Sequence, residues 1–394
     1  MKILIVHNRY QIPGGEDTVA AGERKLLQAH GHEVLTLTRS NGELAGFSLW
    51  QKVCLPFSVL FSMKTYRQTR KLIRENRIQL VHVHNTLMLI SPAVYYAARR
   101  EGAVVVQTVH NFRLLCPGAV FYRDGAVCED CVQKGLSCAL RHRCYRGSLP
   151  QTLGCVLSMQ FHRATGIYKK LTYICLTEFN KQKLLLLKGL KPEQIFIKPN
   201  FVEDAGLFLP PERRQDRILF AGRLDELKGV RVLLESWRRM GKDAPELVLC
   251  GTGPLENWCG RFVAENHLEH VRLLGFVPNE KVKELLSESR AMILPTQWYE
   301  GFPMSIAEAY SVGTPVLVSD LGNGGSLVKA GKTGLKFQAA DPDSIAGAVR
   351  AFWQRRQEPE WYESARREYE NTMAPEENYR QLLVIYEKAM EARR

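Results

Sequence analysis

Residues 291–320 read AMILPTQWYEGFPMSIAEAYSVGTPVLVSD. Ala291–Leu294 is a short, wholly apolar run, the pattern of a strand buried on both faces. Gly301 and Pro303 mark a turn. Met304–Val312 has helical spacing, and Pro315–Val318 is apolar again. Strand, helix and strand in so few residues make a crossover unit, whose two strands lie parallel in one sheet.

The same alternation runs outward in both directions. Upstream, Arg217–Ala221, Glu246–Cys250 and Val271–Leu274 read as strands, with helices at Val230–Met240, Pro254–Asn266 and Pro278–Ser289. A separate alternation fills the first half. Its strands are Lys2–His7, Glu33–Thr38, Gln79–His84, Ala103–Val109 and Tyr173–Thr177, and a helix at Asp17–Ala29 ends at Gly31. Pro199, Pro210 and Pro211 interrupt the pattern and read as an interdomain linker. The expected organisation is α/β: an N-terminal Rossmann-like domain over 1–200, a second over 201–372, and a C-terminal helix over 373–394 that packs back on the first. Ligands then bind at the carboxyl ends of the strands.

The chain has 394 residues, 45% hydrophobic and 24% charged, ordinary for a globular protein of two domains. Its net charge of +13 is unevenly spread: residues 1–200 hold 28 Lys and Arg against 12 Asp and Glu. Such a field attracts phosphates or an anionic membrane. Aromatic stacking runs and Arg-rich helices are absent, so nucleic acid is not the expected partner. No apolar run is long enough to span a bilayer, and Ile3–Val6 is too short for a signal sequence. The expected location is cytoplasmic, peripheral to the inner membrane face.

Glu300 lies on the turn and Glu308 about one turn into the helix. The helix-start amides at Met304 and Ser305 have no intrahelical partners and suit a phosphate. Gly301 permits close approach of a ligand, with Phe302 beside it. By spacing alone, two acids favoured at a helix start fit equally well. FAGRLDELKGVRVLLES (220–236) places Arg223 and Lys228 just beyond a strand, where cations neutralise a leaving diphosphate. Asp341-Pro-Asp343 reads as a helix cap rather than a metal motif.

WYEGFPMSIAEA (298–309), GTPVLVSD (313–320), FAGRLDELKGVRVLLES, CGTGP (250–254) and LLGFVP (273–278) together resemble the family-four retaining glycosyltransferases, whose GT-B fold has two Rossmann-like domains facing across a cleft. In the first half, PGGEDTVAAGERKLLQAHGHEV (13–34), HNFRLLCPG (110–118), LTEFNKQKL (176–184) and KPNF (198–201) extend the likeness. Phe201 departs from the glycine usual there.

The resemblance implies that Glu300 contacts donor-sugar hydroxyls, Glu308 holds the ribose, and Arg223 and Lys228 grip the diphosphate. Phe276 and Val277 frame the base, Gly14 and Gly15 approach the reacting centre, and His110 lies beside the sugar. The implied activity is hexosyl transfer with retention from a nucleotide sugar, UDP before GDP, with no metal needed for catalysis. The implied acceptor is a saccharide or polyprenyl-linked saccharide of cell-surface polysaccharide or glycolipid synthesis. A sugar-nucleotide 2-epimerase on the same fold, or a non-catalytic zinc- or nucleotide-binding scaffold, are the alternatives.

Two further features stand apart. Cys116, Cys128, Cys131, Cys138 and Cys144 fall in an insertion over 116–146, and CEDC is the usual half of a zinc site. Cys116, Cys128, Cys131 and Cys144 are the expected ligands of a structural zinc, with Cys138 and His142 as substitutes; packed free thiols are the other reading. Residues 47–77 join apolar side chains to Lys52, Lys64, Arg67, Arg70, Lys71, Arg74 and Arg77, which suits either an anionic membrane surface or an amphipathic helix packed on the first domain.

Overall fold

The computed structural model describes residues 1–11 and 14–393, with the side chains of Leu49, Lys52 and Val53 left out. Pro13 of the glycine-rich loop and the side chain of Lys52 therefore lie outside the described residues. The chain divides into two compact units.

The first unit comprises residues 1–123, 128–198 and 379–394. Its sheet has six parallel strands: β1 (Lys2–Arg9), β2 (Glu33–Ser40), β3 (Leu80–Asn85), β4 (Val104–Val109), β5 (Thr172–Cys175) and β6 (Ile195–Ile197). They lie in the order β2-β1-β3-β4-β5-β6. Ile3–Val6, Leu80–Asn85 and Val106 are buried, as central strands covered on both faces require. Helix α1 (Gly15–Ala29) follows β1 and turns Val19, Leu26 and Leu27 inward. Leu382, Ile385, Tyr386 and Ala389, near the end of the chain, complete one core cluster with Ile3, Ile5, Leu80 and Val106.

The second unit comprises residues 199–378 with 124–127. Its strands are β7 (Gln215–Ala221), β8 (Glu246–Cys250), β9 (Val271–Gly275), β10 (Ser289–Leu294), β11 (Val316–Ser319) and β12 (Gly334–Phe337). All neighbours are parallel, in the order β9-β8-β7-β10-β11-β12. The chain winds outward from β7 through β8 to β9, then returns to β10 on the other side of β7. The loops after β7 and β10 thus part at a topological switch point, where an open α/β sheet leaves a crevice. Those loops carry Arg223, Lys228 and Glu300. Around β1 and β3 the first unit has the same reversal.

The proline-rich segment expected as a linker is bound to the second unit. The Tyr369 hydroxyl donates to the Val202 carbonyl at 3.0 Å, and Phe201 and Val202 are buried. Arg214, only 4% exposed, donates to Leu209, Ser289 and Val312 carbonyls and to Thr314. Prolines stop regular structure there without freeing the chain. Strand β12 was absent from the sequence reading, because Gly334–Phe337 is too short to show a period.

Candidate active site

In the second unit, the loops beyond three neighbouring strands are held against one another. Gly222 N–H donates to the Cys250 carbonyl, Leu224 N–H to Thr252, and Gly251 N–H to Gly275. A Cβ at Gly251 would stand 1.9 Å from the Gly222 carbonyl oxygen, and one at Gly229 would stand 1.9 Å from that of Pro295. Gly229 also has φ +72°, in the left-handed region. Gln297 N–H closes the arrangement by donating to the Leu227 carbonyl at 2.8 Å. Backbone contact this close fixes where Lys228 and Glu300 emerge.

The Lys228 ammonium donates to both carboxylate oxygens of Glu300, at 2.9 and 2.8 Å. Glu300 is 5% exposed. The Asn323 amide donates to the Glu300 and Gly301 carbonyls, at 2.5 and 2.8 Å, and so shapes the turn. Asp225 caps the turn before Lys228, accepting its backbone N–H at 2.9 Å, and faces Arg223 at 3.4 Å. Arg223 itself extends outward, its side chain 66% exposed.

Pro303 precedes helix α5 (Met304–Ser311), which leaves the amides of Met304 and Ser305 at an open helix start. Glu308 is held by the Asn279 amide, which donates to it at 2.7 Å. Val277 packs on the core beside Phe302 and Met304, whereas Phe276 is 76% exposed. The buried Trp298 indole N–H has no hydrogen-bond partner among the described residues.

Structure therefore joins Lys228 to Glu300 directly and leaves Arg223 and Phe276 reaching into solvent. Asp225, Asn279 and Asn323 were missed by the sequence reading. Only Asp225 had a legible cue, an acid three residues before a Lys-Gly turn.

In the first unit, His110 follows β4 and is 8% exposed. His84 Nδ1 and His110 Nε2 share a hydrogen bond of 2.9 Å. His84 Nε2 faces Glu23 Oε2 at 3.3 Å, and Glu23 Oε1 accepts from the Lys198 ammonium at 2.7 Å. Glu23 and Lys198 are both fully buried. Burial pushes the Glu23 carboxyl up, but Lys198, His82 and His84 outweigh it and hold it well below the usual range. Burial, then His84, holds His110 well below its ordinary value, and burial takes His82 down to about 3. All three groups thus have settled charges at neutral pH. With its proton on Nε2, facing the carboxylate, neutral His84 accepts through Nδ1 from His110 Nε2–H. That leaves a lone pair on His110 Nδ1.

Gly14 caps α1 in an extended conformation, and a Cβ there would meet nothing within 4 Å among the described residues. Glu16, the next acid, is a further residue the sequence reading missed. Its Oε2 accepts from the Tyr10 hydroxyl at 3.0 Å and from Asn111, next to His110, at 3.5 Å. Its Oε1 is buried without a partner among the described residues.

Burial pushes the Glu16 carboxyl up from 4.5 to about 8. Between those values the native protein keeps a proton that the unfolded chain releases, so stability falls as pH rises through that window. Glu16→Gln is expected to stabilise the fold by about 1–3 kcal/mol at pH 8 and by little at pH 5. Thermal melts of the two proteins at both pH values check this.

The five cysteines of the insertion are free, with Cys116 buried and the others partly buried. Burial, then the neighbouring Cys116, Cys144, Cys138 and Cys128, pushes the Cys131 thiol up to about 12. The cysteines gather around Cys131. Among the described residues, the group that brings three metal-ligating atoms together is Glu23, His82 and His84. There Lys198 already neutralises the carboxylate.

Comparison with known proteins extends this picture. Residues 209–369 match the family of group 1 glycosyl transferases, and residues 13–205 match glycosyltransferase family 4. Together the two matches cover most of the chain, and its fold is GT-B. D-rhamnosyltransferase WbpZ of Pseudomonas aeruginosa is 33% identical over 144 residues, which cover 36% of this chain and 37% of that protein. The matches thus span about a third of the length of the curated relatives.

Solved structures match throughout. The lipopolysaccharide outer core galactosyltransferase WaaB has a TM-score of 0.68 at 15% identity, covering 98% of this chain and 99% of WaaB. Anabaena HepE in complex with UDP has a TM-score of 0.67 at 14% identity, covering 98% of this chain and 100% of HepE. The group 1 domain match contains Arg223, Lys228, Glu300 and Glu308, and the family 4 match contains Gly14, Gly15, His110 and the cysteine insertion.

Proposed function

We propose that the protein transfers a hexosyl group, with retention of configuration, from a UDP-sugar to a lipid-linked saccharide of a cell-surface polysaccharide or glycolipid. The carrying observation is the Lys228–Glu300 pair at the switch point, beside the open start of α5. In the unliganded protein each group satisfies the other. A donor replaces the pair: its diphosphate takes Lys228, Arg223 and the α5 amides, and its sugar hydroxyls donate to Glu300. Glu308, steadied by Asn279, takes the ribose hydroxyls.

Cations around the leaving diphosphate lower the barrier by stabilising the charge that develops there. The departing phosphate oxygen takes the acceptor proton on the face that it leaves, which accounts for retention without a carboxylate nucleophile. In the first unit, the His110 lone pair is a fixed acceptor for a sugar hydroxyl. HepE, bound to UDP and glucose in one solved structure, supports UDP over GDP. The acid-poor, basic first unit supports an acceptor held at an anionic membrane face.

Glu308→Ala is expected to weaken UDP binding about 10–100-fold, the loss of a charge-assisted hydrogen-bond pair. Thermal-shift titration with UDP-, GDP- and ADP-sugars reads both the affinity and the base. Equal affinity of the variant and the wild type removes Glu308 from the donor site. The anomeric configuration of the product, followed by NMR, tests retention directly.

No metal takes part in this chemistry. A zinc in the cysteine insertion, which we propose as structural, is expected to remain near one equivalent through purification. Its removal by a chelator is expected to loosen the insertion without affecting UDP binding. Metal content well below one equivalent assigns these thiols to packing.

A further inference from the structure

Two stretches of the first unit contain no Asp or Glu at all: residues 44–74 and 131–177. The fold brings them together. Helix α2 (Leu49–Leu60) lies in the first and helix α4 (Leu149–Ala164) in the second, with α3 (Met63–Asn76) following α2. His162 Nε2 donates to the Leu60 carbonyl at 2.8 Å, and Val59 and Cys155 share a buried cluster with Met88 and Tyr145. The inward face of α4 is satisfied by Thr152, Cys155, Val156, Ser158, Met159 and His162, all buried.

The opposite face of α4 is also apolar. Leu149, Leu153, Leu157 and Phe161 follow one another at four-residue steps, so they form one stripe along the helix. They are 46%, 42%, 50% and 43% exposed. On α2, Trp50 is 79% and Phe57 73% exposed. Six of the thirteen large apolar side chains exposed among the described residues therefore stand on two adjoining helices. Scattered apolar residues need no explanation, but a contiguous patch does.

Cations flank this patch. Lys64, Arg67 and Lys71 are exposed on α3, and Arg141, Arg143 and Arg146 are exposed just before α4. Arg70 and Arg74 are bound to Glu101, so they serve the fold instead. An apolar stripe flanked by cations, on chain segments that lack Asp and Glu, matches the boundary of an anionic bilayer, where acyl chains meet phosphate groups. A second copy of the chain is a poorer match, because a two-fold interface would set the same cations against each other. Among the described residues, no helix is long and apolar enough to cross a membrane, so the helices lie along the surface.

We propose that the outward faces of α2 and α4, with the cations of α3 and of the segment before α4, seat the first unit on an anionic bilayer. The inference deepens the proposed lipid-linked acceptor and rests on that reading only for its purpose. The test is flotation of the full-length protein with vesicles of phosphatidylcholine alone and of an equimolar mixture with phosphatidylglycerol. Wild type is expected to float with the mixed vesicles, and less so as salt rises.

Leu153→Gln with Leu157→Gln, at exposed positions that fold without loss, is expected to reduce partitioning at least tenfold at an unchanged melting temperature. Arg143→Ala with Arg146→Ala is expected to reduce it on the mixed vesicles. No flotation of the wild type, or equal flotation of the leucine double variant, overturns the proposal. So does a wild-type dimer in sedimentation that the leucine variant dissociates, since the covering partner is then a second copy. Transfer to a detergent-dispersed acceptor, measured alongside, separates the two readings: its failure with flotation intact removes the proposed reaction and leaves the docking surface.

Discussion

Lys228→Ala is expected to lower kcat about 10²–10³-fold, the effect of removing a preorganised charge from a leaving group. The loss has two parts. The diphosphate loses a cation at the strand end, which slows departure. Glu300, 5% exposed and bound through both oxygens to Lys228, also loses its counter-ion before any donor arrives. A lone buried carboxylate is costly, and a dianionic diphosphate beside it raises that cost. Donor affinity should therefore fall along with turnover. Lys228→Arg keeps the charge but must fit a planar fork into space shaped for an ammonium, so it should recover only part of the rate. Single-turnover kinetics with saturating donor separate chemistry from binding. Wild-type rates in Lys228→Ala would remove this residue from catalysis.

The largest effect on stability is expected away from the donor site. Lys198→Met leaves Glu23 fully buried against two histidines and without its cation, a change that costs about 3–5 kcal/mol in buried pairs. Replacing Glu23 by Gln in the same chain removes the stranded charge and should restore much of the loss. A double-mutant cycle read by thermal melting checks the sign. If Lys198→Met alone melts with the wild type, the pair contributes nothing to the first unit. The cycle also touches the site, because Glu23 sets the proton position on His84 and hence on His110. In the double variant the fold should return while the pH profile of transfer does not.

Strands were legible because a buried parallel strand needs an unbroken apolar run, and such runs stand out. The Asp341 cap was legible because its partners, the amides of Asp343 and Ser344, are two and three residues away. Lys228 and Glu300 could be named from their places after strands, though not paired, since 72 residues separate them. Asn279 and Asn323 gave no cue at all. An amide that steadies a distant carboxylate or carbonyl looks like any surface amide until the fold brings them together. Glu23 and Lys198, 175 residues apart, were hidden for the same reason.

The outward stripe of α4 escaped for a different reason. Periodicity detects an apolar face against a polar one, and this helix is apolar on both sides.

The first unit is not finished by the first half of the chain. Tyr386 meets His82 Nδ1 at 2.7 Å, and Leu382, Ile385 and Ala389 cover the cluster that contains Ile3 and Leu80. During synthesis, the strands bearing His82, His84 and His110 leave the ribosome while that covering helix has yet to be translated. The nascent first unit must wait with an apolar face open until its last residues emerge, whereas residues 199–378 can already be complete. Stalled or prematurely ended chains therefore hold a finished second unit and an unfinished first one, the state most in need of a chaperone.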